Sequence, residues 1–103
     1  MTIKKITIFW RDIPSQVLVQ KGRNRKKQIL EHRFQEAIDR AAMRAGKGSS
    51  DKYISEWRRV SELIKDEVDV DSLLINEVEK FHQSYSDEDL EELIRNHGVK
   101  KSK

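Results

Sequence analysis

The first apolar residues of the chain alternate with polar ones. Ile6, Ile8 and Trp10 share one side of an extended backbone, and the residues between them face the other way. A period of two with β-branched side chains is typical of a β-strand. The pattern therefore predicts a first strand over residues 3–10.

A turn and a second strand follow. Residues 12–15 read Asp-Ile-Pro-Ser, which is typical of a turn because proline fixes φ and donates no backbone hydrogen bond. Val17 and Val19 then begin a second alternation, which Gly22 ends. Residues 16–21 are therefore predicted to be the second strand of an antiparallel hairpin.

Beyond the hairpin the apolar period becomes helical. Leu30, Phe34, Ile38 and Ala41 recur at spacings of three and four residues. On a helix these side chains form one apolar stripe that faces a core. This spacing predicts a single helix over residues 25–45, packed on the hairpin.

Two further helices are predicted in the second half of the chain. Either Asp69 or Asp71 caps the first of them. The second begins at Ser86, which together with Asp89 three residues later resembles a capping box. Gly98 is expected to end it.

Residues 53–60 fit two patterns. Tyr53, Trp57 and Val60 have helical spacing, but the same stretch also alternates like an edge strand. We favour a third strand, because a lone hairpin is marginally stable without another strand or a covering helix. The order is then β-β-α-β-α-α, an α+β domain whose small antiparallel sheet is covered on one face by three helices.

The composition indicates one polar domain with a modest core. The chain has 103 residues, of which 36% are apolar and 38% charged. Residues 1–98 are predicted to form a single domain, followed by a basic flexible tail at 99–103. The absence of cysteine excludes disulfides and thiolate metal sites. No apolar run reaches the roughly 20 residues of a membrane span and no leader pattern is present, so a cytoplasmic protein without membrane contact is expected.

The net charge of +3 hides two opposite halves. Lysine and arginine are in clear excess over residues 1–59, whereas aspartate and glutamate are in excess over residues 60–103. Opposite charges within one small fold mostly screen each other. A basic half folded against an acidic half is therefore favoured over two patches that face different partners.

No arrangement of reactive side chains indicates catalysis. His32, His82 and His97 lack the spacing of a metal site, and the acidic run after Ser86 is what a helix N-terminus favours. The Gly-Lys-Gly-Ser-Ser stretch at residues 46–50 does not match a phosphate-binding loop. We predict no catalytic residue, no metal and no cofactor, and a non-enzymatic role is favoured.

A basic cluster is the first candidate binding feature. Lys21, Arg23, Arg25, Lys26 and Lys27 fall within seven residues, at a predicted strand end and helix start. Cations oppose the dipole of a helix N-terminus, so their placement indicates a site for phosphate or carboxylate groups. The alternative is a charged edge that prevents sheet association. The sequence favours neither.

Two Trp-Arg pairs form the second candidate feature. Trp10-Arg11 and Trp57-Arg58 would lie side by side if residues 53–60 are a strand, with the indoles inward and the arginines presented to a carboxylate-bearing partner. The tip of the hairpin would take its shape from its proline. The candidate anion-binding or partner-binding residues are Trp10, Arg11, Gln16, Lys21, Arg23, Arg25, Lys26, Trp57 and Arg58.

The same blocks resemble a known family. "WRDIPSQVLVQKGR", "FQEAIDRAAMRAG" and "DKYISEWRR" are similar to a small bacterial domain family called virulence factor, and to the C-terminal part of the conserved virulence factor C proteins. The resemblance is strongest over residues 5–60 and carries over no catalytic residue. Stand-alone members in alphaproteobacteria often lie beside genes for methylenetetrahydrofolate-reductase-like and corrinoid methyltransfer proteins. The resemblance thus implies an accessory subunit linked to folate and corrinoid one-carbon metabolism.

Three functions are expected, in decreasing order. The first is a non-catalytic interaction module that docks on a larger protein, such as a methylenetetrahydrofolate-reductase-like or corrinoid methyltransfer protein. The second is nucleic-acid binding through the basic cluster at residues 21–27, although no aromatic stacking residue lies within that cluster. The third is binding of an anionic small molecule.

Overall fold

The computed structural model describes residues 2–46, 50–65 and 68–100. Four strands and four helices make up the described part of the chain. In chain order they are β1 (Ile3–Trp10), β2 (Ile13–Lys21), β3 (Asn24–Ile29), α1 (His32–Arg44), α2 (Ser50–Ser55), β4 (Trp57–Ile64), α3 (Val70–Ser84) and α4 (Asp87–Arg95). The predicted α+β class with an antiparallel sheet is confirmed.

The four strands form one sheet in the order β3-β2-β1-β4. Every neighbouring pair is antiparallel, so β1 lies in the middle between β2 and β4. The register between β1 and β2 shifts between Ile8 and Phe9 and leaves Ser15 as an extra residue on β2. Proline is tolerated at such bulges, which explains how Pro14 lies inside a strand.

Alternation along the strands gives the sheet two distinct faces. Phe9 of β1 packs edge-on against Phe81 of α3, with ring centroids 6.3 Å apart. Lys5, which has the same strand parity as Phe9, reaches Glu77 of the same helix. The face that carries Phe9 is therefore covered by α3, and we call it the α3 face.

The other three helices meet near the turn between β1 and β2. The side chain of Trp10, at the end of β1, is fully buried there. Its ring stacks on Tyr53 of α2, and Gly98 just beyond α4 lies against it. Ala41 of α1 packs against the same glycine. This end of the sheet is thus closed by apolar contacts from three separate segments.

Two helices begin as the sequence predicts. The side chain of Asp69 accepts a hydrogen bond from the Ser72 amide at the start of α3. Ser86 and Asp89 form a reciprocal capping box at the start of α4. Both caps satisfy amides that have no partner inside the helix, so these boundaries are set by local chemistry.

The predicted single helix over residues 25–45 is wrong at its start. Residues 24–29 form β3, and the helix occupies only His32–Arg44. Every side chain of β3 is exposed, so the strand has no buried alternation that a pattern could reveal. It is defined by backbone pairing with β2 across a tight turn, in which Gly22 adopts a φ of 60°.

The predicted third strand and first turn are also displaced. Residues 50–55 are helical and β4 begins only at Trp57, so the two patterns in this stretch belong to successive elements. The turn between β1 and β2 consists of Arg11 and Asp12 alone, whereas Pro14 belongs to β2. A two-residue hairpin loop commonly needs a positive φ, and Arg11 supplies it at 52°.

Part of the predicted connector and tail lies outside the described residues. This holds for residues 47–49 of the connector and residues 101–103 of the tail. Lys100, within the predicted tail, donates its amide to the Asp12 carboxylate at 2.6 Å. In the part of the chain that the structure describes, no helix is long and apolar enough to cross a membrane.

The contact between Gly98 and Trp10 makes a stability prediction. Gly98 has a φ of 85°, and a Cβ there would lie 2.9 Å from the indole Cζ3. Gly46 has a similar φ of 72° but nothing within 4 Å of an added Cβ. We expect Gly46→Ala to cost about 1–2 kcal/mol through backbone strain alone. Gly98→Ala should cost about 1–3 kcal/mol more through overpacking.

Urea unfolding of the two variants measures this difference. Equal losses of stability in Gly98→Ala and Gly46→Ala would contradict the close packing of Gly98 on the indole.

Candidate interaction surface

The candidate residue Trp10 lies in the core. Its side chain has 0% exposure, and its indole nitrogen donates to the Tyr53 carbonyl at 2.9 Å. Trp57 is its direct neighbour across β1 and β4 and packs edge-on against the same tyrosine. The two indoles therefore meet on one face of the sheet, and Trp10 has no surface to offer a partner.

Arg11 is held in the hairpin turn by contacts on both sides. Its amide donates to the Glu56 carbonyl at 3.1 Å, and its guanidinium donates to the His97 carbonyl at 2.9 Å. The same guanidinium lies 3.4 Å from the Glu56 carboxylate. A positive φ is unfavourable for a residue with a Cβ, and these contacts hold it in place.

Arg58 reinforces the same turn. Its Nε donates to the Arg11 carbonyl at 2.8 Å, and its Nη2 lies 3.1 Å from an Asp12 oxygen. Its guanidinium also covers the Phe9 ring at 4.5 Å. The structure brings the two predicted arginines together, and both of them make contacts within the chain.

The basic cluster is divided between the two sides of the sheet. It lies on the end of β2, the following turn and β3, and the predicted position at a helix start is wrong. Lys26 points to the α3 face, where its amine lies 2.7 Å from Asp71. Arg25 and Lys27 have the opposite strand parity and face away from α3. The helix-dipole argument for an anion site therefore does not apply.

The face of the sheet opposite α3 carries exposed side chains on β1, β3 and β4. Alternate residues of all four strands point to it, as the register of the three strand pairs shows. Ile6 is buried on it, whereas Leu63 retains 65% and Ile29 retains 59% of their surface. We call this surface the open sheet face. Its residues are Lys4, Ile6, Ile8, Gln16, Leu18, Gln20, Arg25, Lys27, Ile29, Trp57, Arg59, Ser61 and Leu63, with the buried Trp10 at its turn end.

The open sheet face carries cations and no carboxylate. Lys4, Arg25, Lys27 and Arg59 are all exposed on it. Within residues 2–46, 50–65 and 68–100, none of the four forms an ion pair. Cations that are not neutralised within the fold project a positive potential, which attracts anionic groups from solution.

The α3 face has the opposite character because acidic residues neutralise its lysines. Lys5 lies 2.8 Å from Glu62 and 3.2 Å from Glu77. Its partial burial disfavours the charge, but the two carboxylates outweigh burial and raise the pKa of its amine. The hydrogen bond from Lys5 lowers the pKa of Glu62, so this contribution to stability is lost as the pH falls through that pKa.

Other ion pairs also join the basic and acidic halves of the chain. The hydrogen bond to Asp71 raises the pKa of Lys26, and the hydrogen bond to Glu91 raises that of Arg40. Arg33 donates to the Tyr85 carbonyl at 2.6 Å and approaches Asp87 at 3.4 Å. Part of the charge asymmetry of the sequence is thus satisfied between its two halves, and the open sheet face groups four of the cations that have no ion pair among the described residues.

A cleft on the helical side shows no catalytic arrangement. It measures about 600 Å³ and contains none of the candidate residues. Among the described residues, no group of three histidine or carboxylate side chains is placed to hold a metal ion. The lining of the cleft mixes apolar side chains with charges of both signs. It is formed by Glu77, Lys80, Phe81, Ser84, Tyr85, Asp89, Glu92, Leu93, Val99 and Lys100.

Comparison with known proteins places the chain in a family. A sequence model of the family described as Virulence factor matches residues 8–94. The chain belongs to the Virulence factor family. No curated protein and no solved structure gave a match. The Virulence factor match extends from β1 through α4, and so includes the buried Trp10 and most of the open sheet face.

The open sheet face was missed by reasoning from the sequence. The candidate residues Gln16, Arg25 and Trp57 are on it, as is Lys27 of the predicted basic cluster, but Lys4 and Arg59 were not among the candidates. A usable signal was present, because cations at alternate positions 25 and 27 share one side of an extended strand. It required β3 to be identified as a strand, and the exposed sequence of β3 hides this.

Neighbouring arginines of β4 make a stability prediction. Arg58→Ala removes a hydrogen bond to the turn carbonyl and the contact with Asp12, so we expect a loss of about 1 kcal/mol or more. Arg59→Ala alters the open sheet face, where the side chain has no described partner, and should stay within about 0.5 kcal/mol. Thermal melting of both variants is the measurement. If both melt like the parent protein, Arg58 does not support the turn.

Proposed function

We propose that this member of the Virulence factor family is a non-catalytic interaction module, which docks on a larger protein through the open sheet face. The observation that carries this proposal is the unneutralised charge of that face. It presents four cations without a carboxylate, while Lys5, Lys26 and Arg40 elsewhere are paired within the chain. The partner surface that complements it is acidic.

The centre of the face supplies the apolar part of such an interface. Ile6, Ile8 and Leu18 lie between the cations, with exposed Ile29 and Leu63 on the outer strands. Stable protein interfaces combine an apolar centre with a polar rim. Ile6 is already buried, so affinity comes from covering Ile29 and Leu63 together with the partly exposed Ile8 and Leu18. The surrounding cations select an acidic partner and speed its association.

Trp10, Arg11 and Arg58 of the predicted Trp-Arg pairs stabilise the sheet that carries this surface, and they do not contact the partner. Trp10 and Arg11 hold the turn end of the sheet, and Arg58 fastens that turn from β4. A surface on a rigid sheet is preorganised, so little conformational entropy is lost when a partner binds. In this proposal the candidate residues that contact the partner are Gln16 and Arg25.

The family resemblance suggests which larger protein to test. It points to methylenetetrahydrofolate-reductase-like and corrinoid methyltransfer proteins, for which this chain would be a small accessory subunit. We propose the association as a starting point for the search for a partner.

Nucleic-acid binding is the second candidate, because the same cations would attract phosphate groups. Of the described residues, the register places only two aromatic side chains on this face, the buried Trp10 and the half-buried Trp57, which packs against Tyr53, both at its turn end. Sequence-selective single-strand recognition relies on exposed aromatic rings for stacking. We therefore expect only weak, non-selective binding that falls steeply as the salt concentration rises.

Charge reversal on the open sheet face tests the proposed function. The protein is first purified with its bound partner from the native organism, with and without nuclease treatment, and the partner is identified by mass spectrometry. Lys27→Glu should then lose that partner and melt like the parent, because Lys27 has no described ion pair. Lys52→Glu is the matched control, since this lysine is exposed on α2, lies outside the open sheet face and has no ion pair among the described residues.

Two results would contradict the proposal. One is retention of the partner by Lys27→Glu and by a second reversal, Arg25→Glu. The other is a bound component that nuclease treatment removes entirely, because this result would favour nucleic-acid binding.

A further inference from the structure

The two edges of the sheet differ in how they resist a second strand. Edge strands have unpaired backbone groups along their outer side, which can pair with another chain. On β3, Arg25, Lys26 and Lys27 follow one another, and every side chain is exposed. Two copies of this edge would bring cations together, so β3 is protected against self-pairing.

The other edge, β4, has no such protection. It pairs with β1 along its inner side, and no other backbone hydrogen bond from Trp57–Ile64 occurs among the described residues. Val60 retains 43% and Leu63 retains 65% of their surface. The charges on this strand have both signs, since Glu62 accompanies Arg58 and Arg59. An exposed edge of this length, with apolar residues and charges that can pair with those of another copy, is a site for strand addition.

We propose that β4 pairs antiparallel with β4 of a second copy of this chain, with the two Val60 residues directly opposite each other. Residues opposite one another in a sheet share a face. In this register each Arg58 therefore faces Glu62 of the other copy on the α3 face. On the open sheet face, each Leu63 faces Trp57 of the other copy, which covers exposed apolar surface.

The charge pattern selects this register from its neighbours. A register centred on Ser61 places Val60 opposite Glu62 and forms no ion pair. Registers centred on Arg59 or Glu62 place like charges opposite each other, which is destabilising. Among these four registers, in which one residue faces its own copy across the axis, the Val60-centred register is the one that gives two symmetric pairs of opposite charge. The side chains of Glu62 and Arg58 are 60% and 47% exposed, so they can meet across the edge while Glu62 remains beside Lys5 and Arg58 beside Asp12.

The symmetry of this pairing keeps both open sheet faces on the same side. A two-fold axis perpendicular to the sheet relates the copies, since residues of equal parity are paired. The dimer then presents one continuous sheet with a doubled set of unneutralised cations. The inference does not rest on the proposed function, because it uses the edge of β4 and leaves the cations of β3 free.

Cysteine crosslinking tests the register, and the chain has no cysteine of its own. Directly opposed residues in antiparallel strands have Cα atoms about 4.5–5.5 Å apart, within the range that a disulfide spans. Val60→Cys should therefore form a disulfide-linked dimer rapidly under mild oxidation. The comparison variants are Ser61→Cys, one residue out of register, and Ile29→Cys, exposed on the other edge.

We expect Val60→Cys to crosslink much faster than Ser61→Cys and Ile29→Cys. Faster crosslinking of Ser61→Cys would overturn the register, and equal rates in all three variants would overturn the interface. Thermal melting of the reduced variants checks that each of them is folded.

Light scattering after size exclusion tests the dimer in solution without a crosslink. We expect the parent protein to shift from monomer to dimer as its concentration rises. Val60→Lys should raise the dissociation constant at least about tenfold, because it places like charges opposite each other. Ile75→Lys adds the same charge at an exposed position of α3 and should leave the dimer intact. A parent protein that stays monomeric at every concentration would overturn the proposal.

The outcome is separable from that of the proposed function. Lys27→Glu should keep the dimer and lose the larger partner, whereas Val60→Lys should lose the dimer while its open sheet face keeps its cations.

Discussion

The burial of one indole, that of Trp10, is the constraint on which the rest of the fold depends. This side chain ends the central strand and has no exposed surface. Tyr53 stacks on it, its nitrogen donates to the Tyr53 carbonyl, and Gly98 comes so close that a Cβ would not fit. A large aromatic group contributes much of the apolar burial in a small domain. In this chain it also fixes where α2 and the segment after α4 meet the sheet.

The turn that follows Trp10 determines which contacts the neighbouring arginines make. Arg11 follows Trp10 directly and adopts a positive φ, which is costly outside glycine. Contacts from Glu56, His97 and Arg58 hold it there. Glu56 directly precedes β4, Arg58 lies on β4, and His97 follows α4. The arginines of the Trp-Arg pairs are thus occupied in closing the fold. The cations that remain available lie farther along the strands, on the open sheet face.

The sequence predicted the elements whose burial or capping requires a recognisable spacing of residue types. The strand that contains Ile6 and the apolar stripe through Phe34 and Ile38 follow from periodicity, and Ser86 with Asp89 specifies the start of α4. The prediction failed at β3, because an exposed edge strand is defined by backbone pairing and leaves no apolar period. The candidate site was misjudged for a related reason. Composition marks tryptophan and arginine as interface residues, but only tertiary contacts show whether they are already used within the chain.

The distribution of charge over the sheet links the fold to its proposed role. Acidic residues of α3 neutralise Lys5 and Lys26 on the α3 face, so ion pairs between the acidic and basic halves of the chain form on that face. The same helix cannot reach the opposite face, because alternate residues of a strand point away from each other. Arg25 and Lys27 therefore remain exposed on a flat, apolar-centred surface although the chain has enough carboxylates to pair with them. Exposed Leu63 and Ile29 on that face leave apolar area in water that burial would stabilise. A surface that keeps both uncompensated charge and uncovered apolar area is one whose complement lies on another molecule.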